Sequence, residues 1–486
     1  MPSVDLSSVK EKYDVVIVGA GIGGLTAGAY LAKYGLSVLI VDQHYVPGGF
    51  CTIFKREGFK FDIGVHYLGS IDTGSVIGRV IHDLNLSDSL DFIKLDPTDV
   101  IIFPDRRILF RSSFEETIHN LQKAFPSEAV AIERFCRLLN NNNFLAIYAA
   151  CRSKTFRDLL NEFFINEELK STFCVMLGNI GLPSTMVSAL TAAVMYRDYV
   201  FRGGNYPRGS MQRFATALAT RYRLEGGDLL LKKLVTRIEV KENQVVGVWM
   251  DDTFIACDHL ISNCSARQTF LELIGRDRLP SDLAARLDSL IPSPSAFIVY
   301  FSLNGSLKDK DNLYSNNWYC SSYGIDEAYA DCFRNKVNTE DFLFCAIPSL
   351  HDPSLARNGY ECGHLIVLVP YMNHDYWVQN KQRIADKLIM VANRIVPGFS
   401  NRIHKYYSAT PNTIIRYTRS DRAAIYGWAS TPAQVGAVMP QQTPFSNLLL
   451  AGHWTTLESG QGGITMTAYS GRNAAKRIIK SLNRVA

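Results

Sequence analysis

Apolar and polar positions along the chain alternate between two periods. At the start, an apolar run at residues 15–18 ends in glycines. An amphipathic stretch follows, and a second apolar run at 38–41 closes on Asp42. That order predicts strand, tight turn, helix, strand. Residues 70–111 alternate short apolar runs with turns, which predicts strands feeding a second domain. From 112 to 199 the period becomes helical, through Phe135, Leu138, Leu139 and Phe144, then Phe156, Leu159, Leu160, Phe163 and Phe164. Ser112 or Ser113 supplies a cap, with Glu115 and Glu116 in the first turn. Such a stripe reads first as core packing. Its sharper reading is a helical lid whose apolar face meets lipid or a long hydrocarbon. Short β runs return at 228–231, 235–241, 245–250, 254–256 and 259–263, and longer ones at 296–303, 318–322, 342–347, 365–370 and 404–410. Helices are predicted at 212–223, at 375–395 (stopped by Pro397-Gly398) and at 464–482.

Composition narrows the class. At 486 residues the chain exceeds one typical core, so two or three substructures are expected. The hydrophobic share is 47% and the charged share 20%, as in globular proteins. A net charge of +5, scattered and without a Lys/Arg block, argues against nucleic acid and is compatible with an anionic membrane surface. Ten cysteines contain no CxxC pair, so neither a metal centre nor a disulfide framework is expected. No apolar run reaches the roughly 18 residues of a spanning helix. The opening residues match neither a signal nor a transit peptide. The expectation is a cytoplasmic protein, with any membrane contact peripheral.

The first turn carries chemistry. Gly19, Gly21 and Gly24 form GxGxxG. Gly19 permits the turn, Gly21 lets a pyrophosphate approach the backbone, and Gly24 lets helix and strand pack closely. The helix N-terminus offers N–H groups and a partial positive charge to phosphates. Asp42, about 20 residues on, is placed to accept from ribose hydroxyls. Strand, helix, second strand and terminal acid agree, so a dinucleotide is expected here. Near the other end, an apolar strand ending in Gly452, a loop through Gly460, Gln461, Gly462 and Gly463, and a helix repeat the same logic.

The stretch 13–69 resembles the flavin-dependent phytoene desaturase superfamily, and within it the carotenoid isomerase and retinol saturase branch. Two features carry this. One is the phrase Phe61-Asp62-Ile63-Gly64-Val65-His66-Tyr67-Leu68-Gly69. The other is the Gly48-Gly49 corner followed by Phe50 and Cys51, where bacterial desaturases usually place an arginine. Tyr206-Pro207-Arg208-Gly209 resembles the superfamily's tyrosine-proline-glycine-glycine turn, with Arg208 and Ser210 as departures. The resemblance implies an α/β fold. An FAD-binding Rossmann-like domain of the glutathione-reductase type would comprise 1–95, 205–290 and 440–486. A helical lid at 96–204 and a mixed-sheet substrate domain at 291–439 would complete it. It implies FAD contacts from Gly48 and Gly49, from Val235 and Asn263 on the adenosine side, and from Gly452, Gly462 and Gly463 at the ring end. His453 and Trp454 stand where an acid often meets the ribityl chain.

The implied activity is an FAD-dependent oxidoreductase that saturates, desaturates or isomerises a carbon–carbon double bond of a hydrophobic polyene. Hydride exchange at flavin N5 is the implied step, so few protein groups need take part. The missing arginine and the FDIGVHYLG phrase favour saturation or isomerisation over desaturation. Candidate proton-handling groups are His66 and Tyr67, beside the Gly-Gly corner, and Glu458, before the last glycine loop. Trp454 is a candidate wall of the substrate space. Arg197, Asp198 and Tyr199 read as a solvated helix end. No Ser/His/Asp, GxSxG or HExxH pattern occurs. Two other classes share the fold: flavin amine oxidases, and prenyl-binding escort proteins that hold lipid without flavin.

Overall fold

The computed structural model describes residues 4–307, 313–436, 438–455 and 463–483. Two seven-stranded sheets organise it. In the first, strands follow the order Arg237–Lys241, Gln244–Met250, Thr253–Ser262, Lys12–Val18, Val38–Asp42, Asp228–Leu231, and Leu448–Leu450 lies beside Thr253–Ser262. Lys12–Val18 runs parallel to both neighbours. The apolar runs at 254–256 and 259–263 prove to be one strand. Cys257 and Asp258 break the hydrophobic pattern, but the ladder to Tyr13 and its neighbours continues through them. Asp258, at the surface, pairs with Lys12 at 2.7 Å.

Helix Ile22–Lys33 lies on this sheet with the C-terminal helix Gly463–Leu482 against it. The approach is possible only without side chains. A Cβ on Gly24 would stand 2.1 Å from the Gly19 carbonyl oxygen. One on Gly471 would stand 2.1 Å from that of Gly23. Most of Ile22–Lys33 is buried, so its packing outweighs the helix-weakening cost of its glycines.

The second sheet has the order Ile403–Ala409, Ser295–Asn304, Tyr360–Val369, Phe342–Ala346, Asn316–Cys320, Asp99–Ile102, Arg107–Phe110. The first four junctions are antiparallel and Asn316–Cys320 runs parallel to Asp99–Ile102. Helices then run from Phe114–Ala124 to Ala189–Met195. Ser113 caps the first, accepting from the Glu116 amide. Their apolar faces are spent on protein. Phe135, Leu139, Phe156, Leu159 and Phe173 are fully buried in a cluster that also holds Trp318, Tyr329 and Phe344 of the second sheet and its surroundings. Val130, Leu145 and Ile165 of this segment point into solvent.

Candidate functional site

One cavity of about 520 Å³ runs between the two sheets. Its first end is the groove above Lys12–Val18. Gly19, Gly21, Asp42, Gly48, Gly49, Val235 and Asn263 line it. The Gly48 amide donates to the Ala20 carbonyl at 2.8 Å, which folds the Gly-Gly corner onto the first turn. Gly24 stands behind the wall, where it sets the helix–strand distance. Asp42 accepts from the Ala20 amide at 2.6 Å and the His44 amide at 2.7 Å. Burial raises its carboxyl above the ordinary range, and those two amides oppose the shift.

The groove fits a dinucleotide. Gly21 caps helix Ile22–Lys33 with no side-chain hydrogen bond, so the first amides keep their donors. A Cβ on Gly21 would come within 2.9 Å of Asn263 Nδ2, so the open space there exists because the residue is glycine. Asn263 Nδ2 donates to the Gly19 carbonyl at 3.3 Å. Its buried Oδ1 has no partner among the described residues, which leaves an acceptor for a hydroxyl-bearing ligand.

Beyond the Gly-Gly corner the cavity continues into an apolar chamber. Its roof is a rung of the second sheet. Trp318 is the cross-strand partner of Phe344, Phe344 of Ile366, Ile366 of Ile298 and Ile298 of Ala409. All five line the cavity. Side chains two apart share a face, which adds Phe342, Leu368, Ala296 and Tyr300. Sequence reading gave these strands as longer β runs of a mixed-sheet substrate domain. Period-2 alternation could have paired Phe342 with Phe344, but not chosen which face looks onto the site.

His66 lines the chamber, its ring 4.2 Å from that of Phe344. Nδ1 lies 3.3 Å from the Gly64 carbonyl, which fixes the proton on Nδ1 and leaves Nε2 as an acceptor. Burial lowers its pKa to about 4, so the ring is neutral near pH 7. Tyr67 does not line the cavity. It is buried behind the wall, edge-on to Tyr199 at 5.9 Å. Asp62 of the same phrase is buried and structural, accepting from the Tyr206 hydroxyl and the Met211 amide. Glu458 and Gly462 lie outside the described residues.

At the far end, Gly452, His453, Trp454 and Gly463 line the cavity. Burial lowers the His453 pKa to about 4, which makes it a neutral wall residue. Trp454 sits edge-on to Trp428 at 4.9 Å, and its carbonyl accepts from the Trp428 indole. Arg197, Asp198 and Tyr199 are not a solvated helix end. They form a half-buried π-helical turn, Tyr196–Val200, whose carbonyl at Asp198 accepts from Ser70. Arg197 pairs with Asp198 at 2.8 Å, which satisfies both charges at a position the sequence reads as solvent-facing.

Asp42 is the single carboxylate lining this cavity among the described residues. Among the described residues the chamber therefore offers an ammonium ion no counter-charge, whereas it offers a conjugated hydrocarbon aromatic and aliphatic walls.

A family model described as flavin containing amine oxidoreductase matches residues 22–479. The all-trans-retinol 13,14-reductase of Danio rerio is 25% identical over 94% of this chain and 85% of its own length. The chloroplastic prolycopene isomerase 2 of an Oncidium hybrid cultivar is 25% identical over 97% of this chain and 84% of its own. The crystal structure of an oxidoreductase from Methanosarcina mazei superposes with a TM-score of 0.69 at 17% identity, covering 96% of this chain and all of the other.

Proposed function

The chain belongs to the flavin-containing amine oxidoreductase family, and within it we propose an FAD-dependent enzyme that acts on a carbon–carbon double bond of a hydrophobic polyene. The observation that carries this is the single cavity joining a dinucleotide groove to an aromatic chamber that has no carboxylate among the described residues. The retinol reductase and prolycopene isomerase relatives, which span nearly the whole chain, support the same substrate class.

When bound, FAD supplies the electron pair, transferred as hydride to or from carbon. The protein's share is placement and dryness. The rung from Trp318 to Ala409 sets a flat apolar face for an extended substrate. His66 Nε2 is a proton acceptor at that face, and its low pKa suits it to orient or relay a proton rather than to carry a standing charge. Tyr67 acts through its packing on Tyr199. Saturation or isomerisation is the favoured direction, since Phe50 and Cys51 follow the Gly-Gly corner.

The same reading makes the enzyme peripheral. Its substrate dissolves in lipid, no described helix is long and apolar enough to cross a bilayer, and Val130, Leu145 and Ile165 present apolar side chains to solvent. All ten cysteines are free thiols, which suits a reducing compartment such as the cytoplasm.

The test is anaerobic turnover of all-trans retinol and of a carotenoid, with products separated by chromatography. Prereduced holoenzyme is expected to yield saturated or isomerised polyene. Turnover only with oxidised flavin would reassign the direction to desaturation. Peroxide release with simple amines, and no reaction with polyenes, would overturn the reading.

A further inference from the structure

The chamber has an open end and a closed one. Among the residues that line the cavity, Tyr45, Arg56, Tyr417 and Arg419 are exposed. Arg56 and Tyr417 belong to the Ala409 end of the roof. Tyr417 lies on helix Pro411–Thr418, which follows strand Ile403–Ala409, and the ring of Phe54, two residues from Arg56, meets that of Tyr407. At the opposite end of the rung Trp318 is buried beneath the helical segment.

Two polar side chains meet at this closed end. The His66 ring stands 6.5 Å from that of Trp318. Asn179, the last residue of the turn Met176–Asn179, lines the cavity beside it. A glycine brings it there. A Cβ on Gly178 would stand 2.6 Å from the Trp318 ring, and the Gly178 carbonyl accepts from the Tyr426 hydroxyl at 2.8 Å. The Asn179 side chain meets the hydroxyl of Tyr67, which follows His66 in the chain with its ring 5.2 Å away. Asn179 and His66 therefore flank one corner.

The other polar groups of that corner are committed. Tyr426 is bonded to Gly178, and the Trp318 indole to Asp99. His66 is bonded through Nδ1, so its Nε2 offers a lone pair to the chamber. The Asn179 amide has two N–H groups, and Tyr67 can take only one of them. The corner thus presents one acceptor and one donor within apolar walls. A hydrocarbon end would leave both bare, and a carbonyl would satisfy the donor alone. A carboxylate would find no counter-charge, since the cations among the described lining residues, Arg56, Lys233 and Arg419, stand at the opening or beside Asp42. A hydroxyl satisfies both.

We infer that the chamber takes a polyene whose inward end carries a hydroxyl, which donates to His66 Nε2 and accepts from Asn179. The inference rests on the polyene reading above and narrows it, because a plain hydrocarbon fits the roof but not the corner. It also gives His66 the task of orienting the substrate, and makes Asn179 a specificity residue.

The test is binding to oxidised holoenzyme without oxygen, followed by polyene fluorescence or absorbance. The probes are all-trans retinol and the hydrocarbon in which hydrogen replaces its hydroxyl. The alcohol should bind about 10- to 100-fold more tightly. Asn179→Leu keeps the volume and deletes the donor, so it should weaken the alcohol and leave the hydrocarbon unchanged. Equal weakening of both probes would make Asn179 a packing residue and overturn the proposal. Should Asn179→Leu fail to retain FAD, the unmodified protein decides alone, and equal affinity for the two probes overturns the proposal. Failure of the unmodified holoenzyme to bind either probe would instead sink the polyene reading itself.

Discussion

The hydroxyl of Tyr206 donates to the buried carboxyl of Asp62 at 2.5 Å, joining the loop that carries His66 to the turn that leads into helix Gln212–Leu224. The Met211 amide donates to the other oxygen at 2.9 Å. Asp62 is the polar pin between two segments that the sequence separates by more than a hundred residues. Among the described residues no cation faces it, and Asp352 lies near, held by the Gly209 amide.

This arrangement has a pH signature. Burial raises the Asp62 carboxyl to about 7, and that of Asp99 likewise. A carboxyl that binds its proton more tightly when folded is most stabilising below its unfolded pKa, near 4. That contribution is lost as pH rises toward 7. Each group should lower stability by on the order of 1 kcal/mol per pH unit across that window. Thermal melts from pH 5 to 8 should show falling stability, and Asp62→Asn should flatten the slope. A variant slope as steep as the parent's would assign the dependence elsewhere.

The first turn separates packing from binding. Gly24→Ala places a methyl against the Gly19 carbonyl, a backbone clash with no flexible partner to yield. It should cost about 1–3 kcal/mol or more and lower Tm in the apoprotein. Gly21→Ala meets only the tip of the Asn263 side chain, which can swing. That variant should fold normally and bind FAD about 10- to 100-fold more weakly, the loss of one charge-assisted contact. Apoprotein melting and flavin titration together decide it. Equal effects on both measurements from both variants would remove the distinction.

His66 gives a kinetic prediction. With its ring neutral from pH 5 upward, kcat should show no inflection near 6.5 arising from this residue. His66→Phe keeps the aromatic contact with Phe344 but removes Nε2. Turnover should drop about 100-fold with FAD occupancy unchanged. A parent inflection near 6.5 that disappears in the variant would mean that the imidazole works as a cation.

The dinucleotide end was legible because its motif is local. Glycines 19, 21 and 24 and Asp42 sit within one strand–turn–helix–strand unit; Gly24 meets the Gly19 carbonyl and Asp42 the Ala20 amide inside it, while Gly19 and Gly21 face Asn263, far away in sequence. The chamber was not legible, since its roof depends on register. Trp318, Phe344, Ile366, Ile298 and Ala409 come from five strands, and only pairing brings them side by side. Tyr199 was misread for a related reason. Arg197 and Asp198 look solvent-facing in sequence, and nothing local announces that they pair with each other while Tyr199 turns to Thr465.

The chamber roof and the buried acids meet at Trp318. Its indole N–H donates to Asp99 Oδ1 at 2.7 Å, and with Asn316 it opposes the rise that burial imposes on that carboxyl. Trp318→Phe keeps an aromatic wall but strips the carboxyl of that donor, which should raise the Asp99 pKa further. Below pH 5 the carboxyl is protonated either way, so the loss should be modest, about 1–2 kcal/mol. At pH 8 the parent must ionise Asp99 or hold a proton against the solvent. The variant pays the larger penalty there, so the loss should grow by at least about 1 kcal/mol. Adding Asp99→Asn should erase that growth, because the amide does not titrate. Chemical denaturation at the two pH values measures both differences. An equal loss at pH 5 and pH 8 would mean that the indole serves Asp99 only as filler, and that the chamber roof and the buried acid are independent.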